Sequence, residues 1–421
     1  MNTLQARPKL TETNPFGVDS ILLATMVTLL LLGLTMVFSS TIALQDQSLQ
    51  TNFSHLTKQS VFMLMGVSGA YIVSLIPIVV WQKLSLPLLI LTMLLMVVLV
   101  LSGIGVEVNG SKRWISLGSF RLQPAEIVKL VMVIYIASYL TRRREVLNEF
   151  TRGIIIIGAV LAIVAGLLLA QPDFGSFVVI VSTVGLMMFL GGVRIMHMLL
   201  CSVFIVSAIV MMVVTAPYRM KRVLSFRDPF ADAYDTGYQL VHSLIAIGRG
   251  EFFGVGLGGS IQKLYYLPHA HNDFILAVIG EELGLVGIVL VISLFAILLK
   301  RVFVIARRAE DAGIVYGARL AQGIGLLLII QATINIGVNL GVLPTKGLTL
   351  PFISYGGSSI LISCAAIGMV FAVDKQSKVR QVVPPKAPMM NSGIYKNKAA
   401  KKNSRKSVDQ PSLAGKAGAR T

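Results

Sequence analysis

Charge is what this 421-residue chain has least of: Asp, Glu, Lys and Arg make up only 13% of it, against 55% hydrophobic residues. The surface of an ordinary soluble domain needs far more charge than that, so a soluble globular fold is excluded. Cysteine is nearly absent. Cys201 and Cys364 both fall inside apolar runs, where a thiol behaves as a small hydrophobe, so neither a disulfide framework nor a thiolate metal site is indicated. No internal repeat relates the two halves of the chain, as the inverted repeats of many transporters do. Acids are scarce as well, 19 against 37 Lys and Arg, so each carboxylate within an apolar run calls for a partner or a function.

What is abundant is apolar sequence in runs long enough to cross a bilayer, on the order of 20 residues each. Ten such runs occur, at about 19–43, 59–79, 85–103, 124–141, 153–170, 174–192, 195–216, 271–299, 314–341 and 352–373. They are continuous rather than alternating, which indicates helices and not a barrel. The expected fold is therefore an all-α polytopic membrane protein of ten transmembrane helices. A polar leader, residues 1–18, precedes the first span, which is too long for a signal h-region and is expected to be retained. Lys and Arg gather in "TRRREVLNEFTR" (141–152), "KRVFVIARRAE" (300–310) and the tail 374–421. This bias puts both termini in the cytoplasm. The tail, with "KNKAAKKNSRK" at 396–406, has the composition of a disordered segment, suited equally to anionic lipid, a cytosolic partner or a plain orientation signal.

Two outer segments are too long and polar to be simple connections. In the first, "GIGVEVNGSKRWISLGSFRLQP" (103–124), Lys112, Arg113 and Arg121 flank Trp114, and the span after it opens with Gln123, Glu126 and Lys129. Glu126 and Lys129 share one helix face a turn apart, where ionisable groups normally face protein or a wet cavity. The second is the large loop 217–270 between spans seven and eight, in which 238–247 reads as an interfacial helix. Its Arg219, Lys221, Arg222, Arg227, Arg249 and Lys263 are an unusual basic load outside the membrane. The ninth span carries Gln331, Asn335 and Asn339 at four-residue spacing, a polar face suited to interhelical hydrogen bonds. After it, "GVLPTKGLTLPFISYGGSS" (341–359) places Lys346 in a turn stiffened by two prolines.

"LPHAHNDFILAVIGEELG" (267–284) concentrates His269, His271, Asp273, Glu281 and Glu282. A zinc site is the less favoured reading: Pro268 and the apolar run point to a loop entering a helix, where 271 turns away from 269 and 273. A glycosidase-like carboxylate pair also fits poorly, because eight residues of regular helix separate Asp273 from Glu281 by about 12 Å along the axis, beyond the ~5–9.5 Å such pairs need. Asp273 then stands as a single carboxylate at the mouth of the eighth span. Below it Ala277, Gly280 and Gly284 leave room for a close neighbour, and Lys129 is the expected partner, by depth, for Glu281 and Glu282. One base with several cations suits glycosyl transfer from a lipid diphosphate. The leaving group is already a good anion, one base deprotonates the acceptor hydroxyl, and Lys or Arg stabilises the departing charge.

Together these residues resemble the SEDS family (shape, elongation, division and sporulation), the ten-span peptidoglycan glycosyltransferases of bacteria. The resemblance covers essentially all of 18–375 and rests on "NGSKRWISLGSFRLQPAEIVKL", "QPDFGS", "GYQLVHSLIAIGRGEFFGVGLGGSIQKLYYLPHAHNDFI", "GEELG" and "GVLPTKGLTLPFISYGGSS". The last motif, the leader and the basic tail look more like the division branch than the elongation branch. The resemblance implies inverting polymerisation of lipid II into β-1,4 glycan at the outer face of the bacterial inner membrane, at the septum. It also implies a class B penicillin-binding protein and other divisome membrane proteins as partners, with no nucleic acid.

The family's essential aspartate falls on Asp273, its conserved Trp on Trp114, and its Arg-x-Gln-Pro-x-Glu-x-x-Lys pattern on Arg121, Gln123, Pro124, Glu126 and Lys129. Lys112, Arg113 and Lys346 join these as expected substrate-binding residues, while Glu281, Glu282, Asn335 and Asn339 are expected to be structural or conformational. Asn272 stands where the family usually has Thr, and His269 where relatives often have Glu, which puts in doubt any cation-binding role for that position. No metal ligand set is expected, and assistance by Mg²⁺ or Mn²⁺ is left open. A lipid II flippase and a divisome scaffold are the alternatives.

Overall fold

The computed structural model describes residues 17–382 apart from 43–48, 103–104, 109–110, 118–119, 148, 150–152, 216–219, 222–224, 236, 265 and 269. Three long helices come first: α1 (Ser20–Ile42), α2 (Leu49–Leu75) and α3 (Ile78–Ser102). Next come α4 (Pro124–Arg142), α5 (Ile155–Ala170), α6 (Phe174–Leu190) and α7 (Ile195–Val214). A shorter helix, α8 (Tyr238–Gly250), precedes α9 (Ile275–Asp311), α10 (Val315–Asn339) and α11 (Gly357–Val382). Six of these, α1, α3, α4, α9, α10 and α11, are long and apolar enough to cross a membrane, and α5, α6 and α7 are shorter apolar helices.

Residue pattern explains which helices are central. α4 is apolar around most of its circumference, Glu126 and Lys129 excepted, and is buried from Pro124 through Leu140 except at Ile127, as expected of a helix surrounded by others. It packs against α3, α6 and α10, while α9 packs against α1, α8 and α10. α7 is the opposite case: Met196, Phe204 and Met211 are 71%, 77% and 71% exposed, an apolar surface suited to lipid.

The structure departs from the expected all-α fold in the first polar segment. Strands β1 (Val106–Val108), β2 (Ser111–Leu117) and β3 (Phe120–Leu122) form an antiparallel sheet in the order β1-β2-β3. Val108 pairs with Ser111 and Leu117 with Phe120, so each connection has two residues, Asn109–Gly110 and Gly118–Ser119, both compositions that favour tight hairpins. β3 leads directly into Pro124 at the first position of α4, where a missing N–H costs nothing.

α9 also runs further than expected. Residues 300–310, read from sequence as a loop, continue the helix to Asp311. Arg301 and Arg308 lie two turns apart on one face. Arg301 hydrogen-bonds Asp19, which caps α1 by accepting the Leu22 N–H at 3.0 Å, and Arg308 approaches Asp19 and Asp374 at 3.6 and 3.8 Å. Charged sequence here is a packed face that joins α1, α9 and α11.

α9 breaks at Gly284, whose φ of 66° and ψ of −161° leave the helical region. The segment after α8 lies across the break. Val255 and Gly256 donate to the carbonyls of Glu281 and Glu282 at 3.0 and 3.1 Å, and Leu285 and Val286 donate to those of Glu251 and Phe252 at 2.9 and 3.2 Å. Backbone groups freed by the kink are thus satisfied by protein, as a low-dielectric setting demands. Glycine is required because a Cβ on Gly284 would lie 2.4 Å from the Gly254 nitrogen, and one on Gly250 1.8 Å from the Gly280 carbonyl oxygen.

Candidate active site

Asp273 lies in the turn ahead of α9, which begins at Ile275. Its main chain is held from α10: Asn335 and Asn339 each donate through Nδ2 to the Asp273 carbonyl, at 2.9 and 3.0 Å. Asn335 also donates to the Leu348 carbonyl at 2.6 Å, and the Asn339 side-chain oxygen accepts the Ala277 N–H at 3.1 Å. The polar face of α10 is therefore a clamp on the turn carrying the carboxylate. Ser354 adds a third hold by donating to the Asn272 carbonyl at 2.7 Å.

The carboxylate itself is left without a hydrogen-bond donor among the described residues, and the backbone of Gly347 comes close enough that a Cβ there would be 3.1 Å from Oδ2. It faces a cavity of about 350 Å³ lined also by Arg113, Trp114, Gln123, Glu126, Asp173, Phe174, Lys346 and Tyr355. Burial raises the Asp273 carboxyl to about 7; Arg113 pulls it down and the like charge of Asp173 pushes it up. A carboxylate with that affinity for a proton exchanges it near neutrality, the range that suits general-base chemistry.

The cations are oriented by the cavity walls. Arg113 donates from Nε to the Gln171 carbonyl and from Nη2 to the Pro172 carbonyl, both at 2.8 Å. Lys346 places Nζ 4.4 Å from the centre of the Phe174 ring, a cation–π contact that orients the charge without neutralising it. Asp173 caps α6 by accepting the Ser176 N–H at 3.0 Å and its hydroxyl at 2.8 Å, and Gln123 approaches it at 3.4 Å. Behind the lining, Lys129 is buried and donates to Glu126 at 2.8 Å and Gln331 at 2.7 Å. Gln331 donates onward to the Thr349 carbonyl at 3.0 Å.

Of the expected substrate-binding residues, Arg113, Trp114, Gln123, Glu126 and Lys346 line the cavity with Asp273. Lys129 stands one layer back. Arg121 is exposed and lies outside the lining, but its carbonyl accepts from Ser358 at 2.9 Å and its charge acts on Tyr355 of the lining. Lys112 belongs to β2, but its side chain, like His269, lies outside the described residues. Sequence reading missed Asp173 and Tyr355. The signal for Asp173 was its place before Phe174-Gly-Ser176 and an apolar run, the pattern of a helix cap.

Glu281 and Glu282 face elsewhere. Glu281 accepts from Arg249 at 2.8 Å, from the Ser260 hydroxyl at 2.5 Å and from the Ile261 and Gln262 N–H groups at 3.0 and 3.3 Å. Glu282 pairs with Lys263 at 2.7 Å and accepts from Ser39 at 2.7 Å. The expected partnership with Lys129 is thus wrong: Lys129 is taken by Glu126 and Gln331, and the large loop supplies the counter-charges. Among the described residues no three His, Cys, Asp or Glu side chains gather as ligands for a divalent cation.

The family model described as a cell cycle protein, covering FtsW, RodA and SpoVE, matches residues 19–379. The chain belongs to the FtsW/RodA/SpoVE family. Over 364 residues it is 47% identical to a probable peptidoglycan glycosyltransferase FtsW of Nitrosococcus halophilus, covering 86% of this chain and 94% of the relative. Over 362 residues it is 44% identical to the FtsW similarly described in Coxiella burnetii, covering 86% and 97%. Among solved structures, a chain of a peptidoglycan synthase complex concerned with coordinating polymerization and crosslinking superposes with a TM-score of 0.70 at 29% identity, covering 86% of this family member and 98% of that chain. The rod shape determining protein RodA of Thermus thermophilus superposes with a TM-score of 0.61 at 26% identity, covering 85% and 97%.

Proposed function

We propose that this peptidoglycan glycosyltransferase polymerises lipid II into β-1,4 glycan at the division septum with Asp273 as general base. The observation that carries the reading is a carboxylate clamped through its main chain, without a hydrogen-bond donor at its side chain among the described residues, and facing a cavity with two oriented cations. In this mechanism Asp273 takes the proton from the acceptor sugar hydroxyl as that oxygen attacks the anomeric carbon of the donor. The bond from that carbon to the undecaprenyl diphosphate oxygen breaks, and its electron pair leaves on the diphosphate. One displacement inverts the anomeric centre, so an α-linked donor gives a β-linked product. Lys346 and Arg113 stabilise charge accumulating on the leaving group, where cations in a water-poor cavity act most strongly. Trp114, Gln123 and Glu126 line the sugar-binding walls, and Lys129 holds Glu126 in place.

The topology that goes with this reading counts α2, α5, α6 and α7 as spans beside the six longer helices, ten in all. Both termini are cytoplasmic, the cavity opens on the outer side of the inner membrane, and the segment 217–270 is extracytoplasmic. The relation to a chain of a peptidoglycan synthase complex supports a class B penicillin-binding protein as partner, with other divisome membrane proteins around it. The test is polymerisation of labelled lipid II by the purified full-length protein with its transpeptidase. Parent protein is expected to make long glycan, and Asp273→Asn none at an unchanged melting temperature. Normal polymer from Asp273→Asn overturns the role of the base. Lipid II transported across vesicle membranes without any polymer supports the flippase alternative instead.

A further inference from the structure

α2 reaches the site from outside it. It lies close along α11 because small residues let the two backbones approach: a Cβ on Gly357 would meet the Phe62 ring at 3.0 Å, one on Gly66 the Cys364 sulfur at 3.0 Å, and one on Gly368 the Ala70 carbonyl oxygen at 2.5 Å. Residues 55, 62, 66 and 70 follow the spacing of a single helix face. The same line of packing, continued two turns past Phe62, brings His55 to Tyr355, just ahead of α11.

Three rings meet there. The His55 centroid lies 5.3 Å from that of Tyr355 and 6.0 Å from that of His271, and His271 and Tyr355 are 5.6 Å apart. Their interplanar angles of 68°, 53° and 69° are the edge-on and tilted arrangements that aromatic quadrupoles favour. The Tyr355 N–H donates to the His271 carbonyl at 2.9 Å, so ring triangle and backbone form one unit. That unit borders the reacting group on two sides: Tyr355 lines the cavity, and Asp273 is two residues beyond His271. The His55 Nδ1 is buried and has no hydrogen-bond partner among the described residues. Among those residues, what His55 offers the site is its ring, with no hydrogen bond at Nδ1.

We infer that His55 is a positioning residue: its ring buttresses Tyr355 and His271 and so sets where the Asp273 carboxylate sits in the cavity. The inference rests on Asp273 as the base. The Asn335 and Asn339 clamp restrains the Asp273 carbonyl from the α10 side, and the ring triangle restrains the same turn from the α2 side. Loss of either restraint allows small displacements of the base, and a misplacement of about 1 Å is enough to cost up to ~100-fold in rate.

The experiment uses full-length protein with its transpeptidase in nanodiscs, with initial rates measured over a range of lipid II concentrations. His55→Ala is expected to lower kcat about tenfold, a partial misplacement on that scale, with KM changed less than about twofold. His55→Phe, which restores a ring, is expected to recover most of the loss. In the double variant His55→Ala/Tyr355→Ala the losses are expected not to multiply, because both changes act through one wall. Parent kcat in His55→Ala overturns the inference, as does a His55→Phe protein that melts normally yet is as slow as His55→Ala. Multiplicative losses in the double variant, or a lowered melting temperature with parent kcat per folded molecule, overturn it as well. Asp273→Asn in the same assay keeps the two failures apart: normal polymer from that variant overturns the base and with it this inference, whereas parent kcat in His55→Ala beside an inactive Asp273→Asn overturns the His55 role alone.

Discussion

Asp273 precedes α9 and Glu281 and Glu282 lie within it, yet the chain surrounds these carboxylates in opposite ways. Glu281 and Glu282 are completely buried, and each has a cation and further donors: Arg249, Ser260 and two N–H groups for one, Lys263 and Ser39 for the other. Asp273 is half-buried and, among the described residues, gets its hydrogen-bonded support through its main chain, with its carboxylate facing the cavity. A buried charge that is paired and hydrogen-bonded becomes part of the framework, tying the large loop and α1 to the break in α9. A desolvated charge without a donor keeps its affinity for a proton. The difference between framework and chemistry is thus in large part a difference in the donors supplied.

The largest effect expected from this contrast is on rate at Asp273. Asp273→Asn is expected to lower polymerisation by about 10²–10⁴-fold, the usual contribution of a general base, with no loss of thermal stability, since it removes a charge that has no hydrogen bond to lose. Glu282→Gln should do the reverse. It leaves Lys263 buried without a counter-charge, which typically costs about 3–5 kcal/mol of stability, while the rate per folded molecule changes little. Thermal denaturation in detergent, read beside initial rates, separates the two. If Asp273→Asn unfolds the protein as readily as Glu282→Gln, the contrast fails. Replacing both members of the pair, Glu282→Leu with Lys263→Met, is expected to recover most of the stability, because no unpaired charge remains.

Next in size is the backbone at the break. Gly284→Ala forces a side chain onto a φ of 66° and sets a Cβ 2.4 Å from the Gly254 nitrogen; the strained backbone alone costs about 1–3 kcal/mol. Cysteine accessibility of the segment 251–256 should rise as its hydrogen bonds to residues 281–286 loosen. A variant as stable and as closed as the parent would mean that the framework half of the contrast does not depend on the kink.

Much of this architecture was readable in advance. The apolar runs located the helices, and the Gln331, Asn335 and Asn339 periodicity marked the face of α10 that holds the site. Arg249 and Lys263 stood out as cations in an unexpected place, but their partners could not be read. Depth along a helix suggested Lys129 for Glu281 and Glu282, whereas the true partners come from a loop that returns to α9 only because Gly250, Gly254 and Gly284 permit contact. Pairings across 19 to 243 residues, such as Lys263 and Ser39 with Glu282, leave no local periodic trace. The small sheet was legible through Asn109–Gly110 and Gly118–Ser119, and was hidden by reading 103–124 for its charges alone. Asp173 was hidden because its place in the cavity is set by tertiary packing, which leaves no local trace.

The smallest expected effect, on pH, bears most directly on the open half of the contrast. With Asp273 as the proposed base, the reaction needs it without its proton, and burial raises that carboxyl to about 7. Polymerisation should therefore rise with pH through an apparent pKa near 7 and fall about tenfold for each unit below it. Asp173 raises the Asp273 value and Arg113 lowers it, so Asp173→Asn should move the acidic limb to lower pH and Arg113→Gln to higher pH. Initial rates across pH 5 to 9 on a single buffer series, scaled to the folded fraction at each pH, read both shifts. Limbs unmoved by either substitution would assign the elevated value to burial alone. A limb near pH 4 would mean that the Asp273 carboxylate is hydrated or paired like its neighbours, and the distinction between the two acidic regions would disappear.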